Sequence, residues 1–203
     1  MKITSAIFQA SSPDLASCPK SALPEFALIG RSNVGKSSIL NMLTRSEGLA
    51  KVSQVPGKTR LINFFTINTS WSLVDLPGYG YAKVAKEERS SFSTFVADYL
   101  QHRPNLRGTF VLIDSGISPQ KLDLEFLQWM VGCGLPFVLA FTKTDKLSKG
   151  AAQKNIEAFL LRMREISEEE PAYVLSSSKV GLGRLEILNL IASVLAEKSE
   201  TTA

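Results

Sequence analysis

Few residues in this sequence are suited to bind a transition metal or to form a nucleophilic triad. Its 203 residues include one histidine, His102, and two cysteines, Cys18 and Cys133. These residues form no CxxC motif and no Cys/His cluster, which argues against a zinc site or a disulfide framework. A single histidine also argues against a His-based catalytic triad or dyad. Two reduced thiols are consistent with a cytoplasmic protein.

Membrane-directed features are also missing. No apolar run approaches the roughly 18 residues that a membrane-spanning helix needs. The first five residues are not followed by the apolar core of a signal peptide, and residues 200–203 contain no cysteine for prenylation. We therefore expect a cytoplasmic protein without a membrane anchor. The net charge of +4 permits contact with RNA or acidic surfaces without requiring it.

Short apolar segments alternate along the chain with segments of helical periodicity. This alternation predicts an α/β fold with a six-stranded, mostly parallel sheet and helices on both faces. A hairpin turn at residues 68–70 adds one antiparallel strand. The predicted strands cover residues 26–29, 61–67, 71–76, 109–113, 137–141 and 172–175. The predicted helices cover residues 36–44, 86–101, 122–131, 151–166 and 185–195.

One domain is expected, because 203 residues can bury a substantial core without being divided. We assign residues 24–196 to this domain. Residues 1–23 are interpreted as an N-terminal extension and residues 197–203 as a C-terminal tail, both of which could be frayed.

The segment from Gly30 to Ser37 fits the phosphate-loop pattern GxxxxGK[ST]. It lies between a predicted strand and a predicted helix, which is the context that this motif requires. Lys36 would reach the β- and γ-phosphates and Ser37 would ligate Mg²⁺; the alternative is a Gly-bounded turn with a surface lysine. The residues predicted to contact the nucleotide here are Gly30, Arg31, Ser32, Asn33, Val34, Gly35, Lys36, Ser37 and Ser38.

A second motif, DxxG, ends another predicted strand. Asp75 could hold Mg²⁺ through a water molecule, because this ion dehydrates reluctantly. The Gly78 amide could meet the γ-phosphate. DxxG alone is a weak signal, because it is common by chance. It becomes a strong signal when it follows a phosphate loop in the sequence and ends a predicted strand. The residues predicted to line the nucleotide here are Asp75, Leu76, Pro77 and Gly78.

Between these two motifs, residues 56–59 read Pro-Gly-Lys-Thr. Thr59 could ligate Mg²⁺ and contact the γ-phosphate, so that loss of this phosphate would disorder the loop. Otherwise Thr59 is an ordinary residue at the entry to a strand. The residues predicted to line the nucleotide here are Gly57, Lys58, Thr59, Arg60 and Leu61.

The segment from Thr142 to Asp145 fits the guanine-reading motif [NT]KxD. Asp145 could accept hydrogen bonds from guanine N1–H and the 2-amino group, whereas adenine has an acceptor at N1 and no 2-amino group. The Lys143 stem could lie along the base. A later serine-rich loop could offer an amide to guanine O6, or be an ordinary loop. The residues predicted to surround the base are Thr142, Lys143, Thr144, Asp145, Leu175, Ser176, Ser177 and Ser178.

These motifs, together with the run DLPGYGYA at residues 75–82, resemble those of the EngB/YsxC family of ribosome-biogenesis GTPases in the TRAFAC class. The resemblance extends from Pro24 to about Leu195. It implies a three-layer, Ras-like P-loop NTPase fold, a GTPase that switches between GTP and GDP, and Mg²⁺ ligation by Ser37 and Thr59. It also implies a bacterial or organellar monomer that helps to assemble the large ribosomal subunit, contacts its rRNA and ribosomal proteins, and supports cell division and septation.

Two departures from related proteins concern catalysis. Family members often carry Asp-x-Arg after the fourth strand, where residues 114–116 of this chain read Asp-Ser-Gly. Ras-like proteins place a water-orienting glutamine after DxxG, where this chain has Tyr79, so either intrinsic hydrolysis is slow or another group assists it. Asn33 would either ligate K⁺ beside the phosphates or only hydrogen-bond within its loop. The residues expected to act in catalysis are Lys36, Thr59, Gly78 and Asn33.

Other functions stay open on the sequence alone. A P-loop metabolic enzyme such as a nucleotide kinase would need a second substrate site and lid arginines, and would have no reason to carry TKxD. An ATPase is a further alternative, which the base preference set by Asp145 would distinguish. A switch of the same fold could also act on another RNA or protein. The segment that carries Tyr79, Tyr81, Lys83, Lys86 and Arg89 is a candidate surface for rRNA, or alternatively a solvated helix face.

Overall fold

The computed structural model describes residues 1–46, 48–49, 61–79 and 86–200. Strands and helices alternate along most of this range, as the apolar pattern predicts. In chain order the elements are β1 (Ala6–Ser12), β2 (Glu25–Gly30), α1 (Lys36–Thr44), β3 (Ile62–Ile67), β4 (Trp71–Asp75), α2 (Lys86–His102), β5 (Leu106–Asp114), α3 (Lys121–Gly132), β6 (Phe137–Thr142), α4 (Lys149–Met163), β7 (Tyr173–Leu175) and α5 (Arg184–Glu200).

The strands form one sheet in the order β1-β3-β4-β2-β5-β6-β7. Only β3 runs against its neighbours in this sheet, because it pairs antiparallel with both β1 and β4 while the other pairings are parallel. The predicted hairpin is confirmed: Asn68 and Thr69 adopt φ values of 49° and 55°, and the Ser70 N–H donates to Ile67 O. Two successive positive φ values are typical of the type I′ turns that match strand twist.

The predicted count of six strands is wrong, since seven strands pair into one sheet within the described residues. The additional strand is β1, which pairs with β3 across about sixty residues of chain. Asn68 secures it: Asn68 Oδ1 accepts hydrogen bonds from the Thr4 and Ser5 N–H groups, and Asn68 Nδ2 donates to Lys2 O. Ile7 and Phe8 are 60% and 49% exposed, so β1 lacks the buried apolar pattern that reveals the other strands.

The helices cover both faces of the sheet, as predicted. One hydrophobic cluster joins the sheet to α2, α3 and α4, and a second joins it to α1 and α5. The central strand β2 is buried along its whole length, as expected for a parallel strand covered on both sides. The final helix continues to Glu200 rather than ending near residue 195. None of the helices in the described ranges has the length and hydropathy to span a bilayer.

A buried ion pair joins Glu25, at the start of β2, to Arg103, which directly follows α2. Arg103 donates to both carboxylate oxygens of Glu25, with a shortest distance of 2.6 Å, and Tyr99 donates to Glu25 Oε2 at 2.7 Å. Arg103 also donates to Pro19 O. These contacts hold the segment before β2 against the fold. The division into extension, domain and tail stays a prediction.

Candidate nucleotide-binding site

The predicted phosphate loop connects β2 to α1. An added Cβ at Gly30 would lie 2.6 Å from Leu112 O, so the loop leaves the sheet at a position that only glycine fits. Asn33 and Gly35 adopt φ values of 63° and 109°, which curl the backbone before α1 begins at Lys36. Gly35 is the N-cap and brings no capping side chain to the first helical N–H groups. Such a helix start is suited to bind an anion.

Lys36 and Asp75 form the charged centre of the site. The pKa of the Asp75 carboxyl is raised, because burial outweighs the Lys36 charge and a hydrogen bond from Asn63, which both lower it. The pKa of the Lys36 ammonium is lowered, because burial outweighs the charge of Asp75, which raises it. Each group therefore favours the ionised form of the other.

The Asp75 carboxylate also has the character of a cation ligand. Asp75 is 5% exposed, and its buried Oδ1 has no hydrogen-bond partner in the described part of the chain. An unpaired buried oxygen is costly, and a hard cation or its water would satisfy it. The described residues contain no cluster of three His, Cys, Asp or Glu side chains suited to hold a metal. One unpaired carboxylate oxygen is a hard donor of the kind that Mg²⁺ prefers, so Asp75 fits the chemistry of a magnesium ligand.

Gly78 packs directly against the phosphate loop. An added Cβ would lie 2.8 Å from Gly30 O, 3.1 Å from Lys36 Nζ and 3.2 Å from Ser32 N. The Leu76 N–H donates to Leu28 O at 3.0 Å, so the DxxG segment continues along β2 after β4 has ended. DxxG and the phosphate loop are therefore in van der Waals contact, and a side chain at position 78 has no room.

The TKxD segment is tied to the phosphate loop by side chains. Thr142 Oγ1 donates to Val34 O at 2.7 Å. Lys143, at a φ of 58°, donates to Asn33 O at 2.7 Å and to Asp114 Oδ2 at 2.5 Å. Asp114, the first residue of the segment that departs from the family pattern, thus anchors Lys143. Sequence reasoning left Asp114 without a role.

Asp145 is held by the loop that follows β7. Ser177 is fully buried and its Oγ donates to Asp145 Oδ1 at 2.6 Å. This hydrogen bond is the main cause that lowers the pKa of the exposed Asp145 carboxyl, so the carboxylate is available as an acceptor. Thr144 N–H and Oγ1 both approach Ser176 O, at 3.3 and 3.2 Å. The two predicted base loops therefore lie side by side, with Ser178 exposed at their margin.

Sequence reasoning missed the surroundings of Tyr79. Its hydroxyl donates to Asp123 Oδ1 at 3.0 Å, and its ring stacks on Phe126 with centroids 4.4 Å apart. Arg31 Nε lies 3.0 Å from both oxygens of the same carboxylate. A signal was present: Asp123 shares the buried stripe of α3 with Leu127 and Met130, where an apolar residue is expected.

Part of the predicted site lies outside the described residues, namely Gly57, Lys58, Thr59, Arg60, Tyr81 and Lys83. Leu61 immediately precedes β3 and is 38% exposed. Lys86 and Arg89 belong to α2.

The carboxyl ends of β2, β4, β6 and β7 carry the four described motifs, and these parallel strands end at the same edge of the sheet. Ligands of open α/β sheets bind at this edge. A phosphate loop that contacts both a DxxG segment and a TKxD segment defines a P-loop GTPase.

Comparison with known proteins defines the family. A protein-family model described as "50S ribosome-binding GTPase" matches residues 25–143. The "Probable GTP-binding protein EngB" of Bacteroides fragilis is 51% identical over 197 residues, which cover 97% of this chain and 98% of that protein. The chain belongs to the EngB family of GTP-binding proteins, and it is a GTPase.

Solved structures share the fold. A crystal structure of a probable GTP-binding protein engB superimposes with a TM-score of 0.65 at 23% identity, covering 85% of this chain and 99% of the other. Era in complex with MgGDPNP and nucleotides 1506–1542 of 16S ribosomal RNA gives a TM-score of 0.64 at 20% identity, covering 85% of this chain and 56% of that one. At these identities the likeness concerns the fold alone.

Proposed function

We propose that this GTPase is a guanine-nucleotide switch in the assembly of the large ribosomal subunit, and that bacterial growth and division depend on it through ribosome supply. The observation that carries the nucleotide assignment is the ionised Asp145 held by Ser177 beside the phosphate loop. The ribosomal assignment is supported by the family description, "50S ribosome-binding GTPase". We propose a cytoplasmic monomer.

Asp145 is proposed to select guanine. Its carboxylate would accept hydrogen bonds from N1–H and the 2-amino group, and Ser177 occupies only one of its oxygens. Adenine would place an acceptor against this carboxylate, so the site would discriminate strongly against ATP. Lys143 is proposed to flank the base while its ammonium bridges Asn33 and Asp114.

The phosphate loop and the DxxG segment are proposed to bind the triphosphate from two sides. Backbone N–H groups of residues 30–38 and the Lys36 ammonium would bind the phosphates, and the Gly78 amide would meet the γ-phosphate. Ser37 and Thr59 would ligate Mg²⁺, with Asp75 acting through water. This ion would neutralise the charge of the phosphate oxygens. Residues 57–61 would follow the γ-phosphate and lose their anchor when it leaves.

Slow hydrolysis is proposed because Tyr79 cannot orient water as a glutamine does. Its hydroxyl and ring are already engaged by α3. Two hypotheses for Asn33 stay open: it contributes to a K⁺ site beside the phosphates, or it serves only within the loop. Its carbonyl accepts from Lys143, while the residue itself is exposed. A bound K⁺ would add positive charge where charge develops in the transition state.

The ribosomal proposal is tested by co-sedimentation of the full chain with purified large-subunit particles, with a GTP analogue or GDP. Binding that is stronger with the GTP analogue is expected, because the γ-phosphate would anchor residues 57–61 through Thr59. An Asp145→Asn variant given the same nucleotides is the control, since it should lose guanine-dependent binding. Absence from the particles with either nucleotide would overturn the ribosomal role and leave the GTPase activity intact.

A further inference from the structure

A cluster outside the sequence motifs connects the phosphate loop to the DxxG segment. Asp123 on α3 accepts from Arg31 Nε through both oxygens, at 3.0 Å each, and from the Tyr79 hydroxyl at 3.0 Å. The Tyr79 ring stacks on Phe126 with an interplanar angle of 19°. Arg31 and Tyr79 also pair through an isolated parallel bridge of their backbones. We call Arg31, Tyr79, Asp123 and Phe126 the α3 cluster.

The Asp123 carboxylate holds the α3 cluster together, because it accepts hydrogen bonds from both Arg31 and Tyr79. Asp123 is 2% exposed and Arg31 is 22% exposed, so a largely dehydrated negative charge is matched by one guanidinium. Removing one partner of such a pair leaves an uncompensated charge, which the fold tolerates poorly. Asp123 therefore has a physical reason to hold both Arg31 and Tyr79 in place.

Gly78 lies between the α3 cluster and the phosphate loop, where its amide is proposed to meet the γ-phosphate during GTP hydrolysis. Tyr79 follows Gly78 directly, and Gly78 packs against Gly30, Ser32 and Lys36. An anchored Tyr79 therefore limits the conformations that the Gly78 amide can adopt next to the phosphates. Without this anchor, Gly78 and Tyr79 would sample more conformations. Each catalytic cycle would then have to order them again before hydrolysis, at a cost in conformational entropy.

We propose that Asp123 is a positioning residue for GTP hydrolysis, which fixes Tyr79 and Arg31 on α3 and thereby holds the Gly78 amide at the phosphate loop. Asp123 does not contact the nucleotide in this role. It acts through two residues that flank the site. The proposal rests on the nucleotide site described above and is independent of the ribosomal role.

The first test is single-turnover hydrolysis of saturating GTP by the full chain carrying Asp123→Asn. The asparagine keeps the shape of the side chain but places an amide N–H₂ against Arg31 or Tyr79, so one contact is lost. We expect the hydrolysis rate constant to fall roughly tenfold, with the Kd for GDP changed by less than about twofold. An unchanged or faster rate constant would overturn the proposal, as would a parallel loss of GDP binding.

A second variant separates positioning from general stability. Tyr79→Phe keeps the stack on Phe126 but removes the hydroxyl that donates to Asp123. If the residues act as one unit, adding Tyr79→Phe to Asp123→Asn should slow hydrolysis no further. Additive effects would contradict the proposed unit. Should Asp123→Asn fail to fold, Tyr79→Phe alone must reduce the rate constant for the proposal to stand.

Trp129 offers a spectroscopic readout on the same helix, because its ring lies 5.7 Å from that of Phe126. Trp71→Phe makes Trp129 the only tryptophan, and the Trp71 indole N–H has no hydrogen-bond partner among the described residues to lose. In this background, Asp123→Asn should alter Trp129 emission in the GDP-bound protein. An emission spectrum identical to that of the parent would show that Tyr79 is not held by Asp123.

The matched control is Glu125→Gln, which removes a carboxylate from the exposed side of α3, where Glu125 pairs with Lys121 at 3.4 Å. Hydrolysis and Trp129 emission should both be unchanged. Asp123→Glu should recover part of the rate that Asp123→Asn loses, since it restores the charge. If the parent chain fails to bind GTP, the proposed nucleotide site is refuted. If parent and Asp123→Asn both bind GTP and hydrolyse it at equal rates, only the proposed role of Asp123 is refuted.

Discussion

The Ser177 hydroxyl lies 2.6 Å from Asp145 Oδ1, although 31 residues separate the two along the chain. Ser177 is fully buried at the end of the sheet, whereas Asp145 is exposed. The buried donor orients the exposed acceptor and stabilises its charge. The carboxylate proposed to read the base is therefore oriented by the protein itself, which would reduce the ordering that nucleotide binding requires.

Asp145→Asn is predicted to change base preference. The asparagine amide donates where the carboxylate accepted, so guanine loses its partner and xanthine, with an oxo group at C2, gains one. Competition binding should show affinity for GDP lowered by about 10²-fold or more and affinity for XDP raised. Asp98→Asn, which removes an exposed carboxylate from α2, is the control and should bind GDP normally. Equal competition by ADP and GDP in the parent would refute guanine selection.

Gly78→Ala is predicted to impair hydrolysis. Its Cβ would come within 2.8 Å of Gly30 O and 3.1 Å of Lys36 Nζ, so the DxxG segment must move away from the phosphate loop. Turnover should fall roughly tenfold to a hundredfold. Gly132→Ala is the matched control, because an added Cβ at the end of α3 meets nothing within 4 Å. Comparable rates for the two variants would show that position 78 does not need glycine.

Chelation of Mg²⁺ with EDTA is predicted to accelerate nucleotide release from the parent protein. Asp75→Asn should reduce this acceleration roughly tenfold, because the carboxylate proposed to hold the ion through water is gone. Release of a fluorescent GDP derivative, with and without EDTA, gives both values. If chelation affects parent and variant equally, Asp75 is not part of the metal site.

Replacement of NaCl by KCl at equal ionic strength distinguishes the two hypotheses for Asn33. A K⁺ ligand predicts faster GTP turnover in KCl, and predicts that Asn33→Ala removes the difference. Identical turnover in the two salts would leave Asn33 a role within the loop only. GDP affinity, measured in both salts, separates effects on binding from effects on the reaction.

Arg103→Met is predicted to destabilise the fold without altering the nucleotide site. It leaves the Glu25 carboxylate, 1% exposed, without its cation, and losing one partner of a buried pair costs about 3–5 kcal/mol. Urea unfolding should show this loss. Arg164→Met removes a surface ion pair with Glu170 and should cost below about 1 kcal/mol. Equal unfolding free energies for the two variants would mean that the Glu25 pair contributes no more than a surface pair.

The main elements of the fold were predictable because their apolar residues recur at the period of a buried strand or an amphipathic helix. The helix predicted at residues 36–44 agrees with α1, and the turn at Asn68 and Thr69 agrees with the hairpin. β1 was not predictable, since its strand pairing depends on Asn68, far along the chain, rather than on burial of its own residues. The helical extension to Glu200 lay beyond the predicted apolar stripe.

The sequence by itself determined the phosphate loop, DxxG and TKxD, because short backbone segments with fixed spacing carry the chemistry of phosphate and base recognition. Only the tertiary structure decided how these segments touch: Lys143 on the Asn33 carbonyl, Ser177 on Asp145, and Arg31 with Tyr79 on Asp123. Such contacts join residues from different strands and helices. They arise when the sheet brings its strand ends to one edge, which no local pattern of residues specifies.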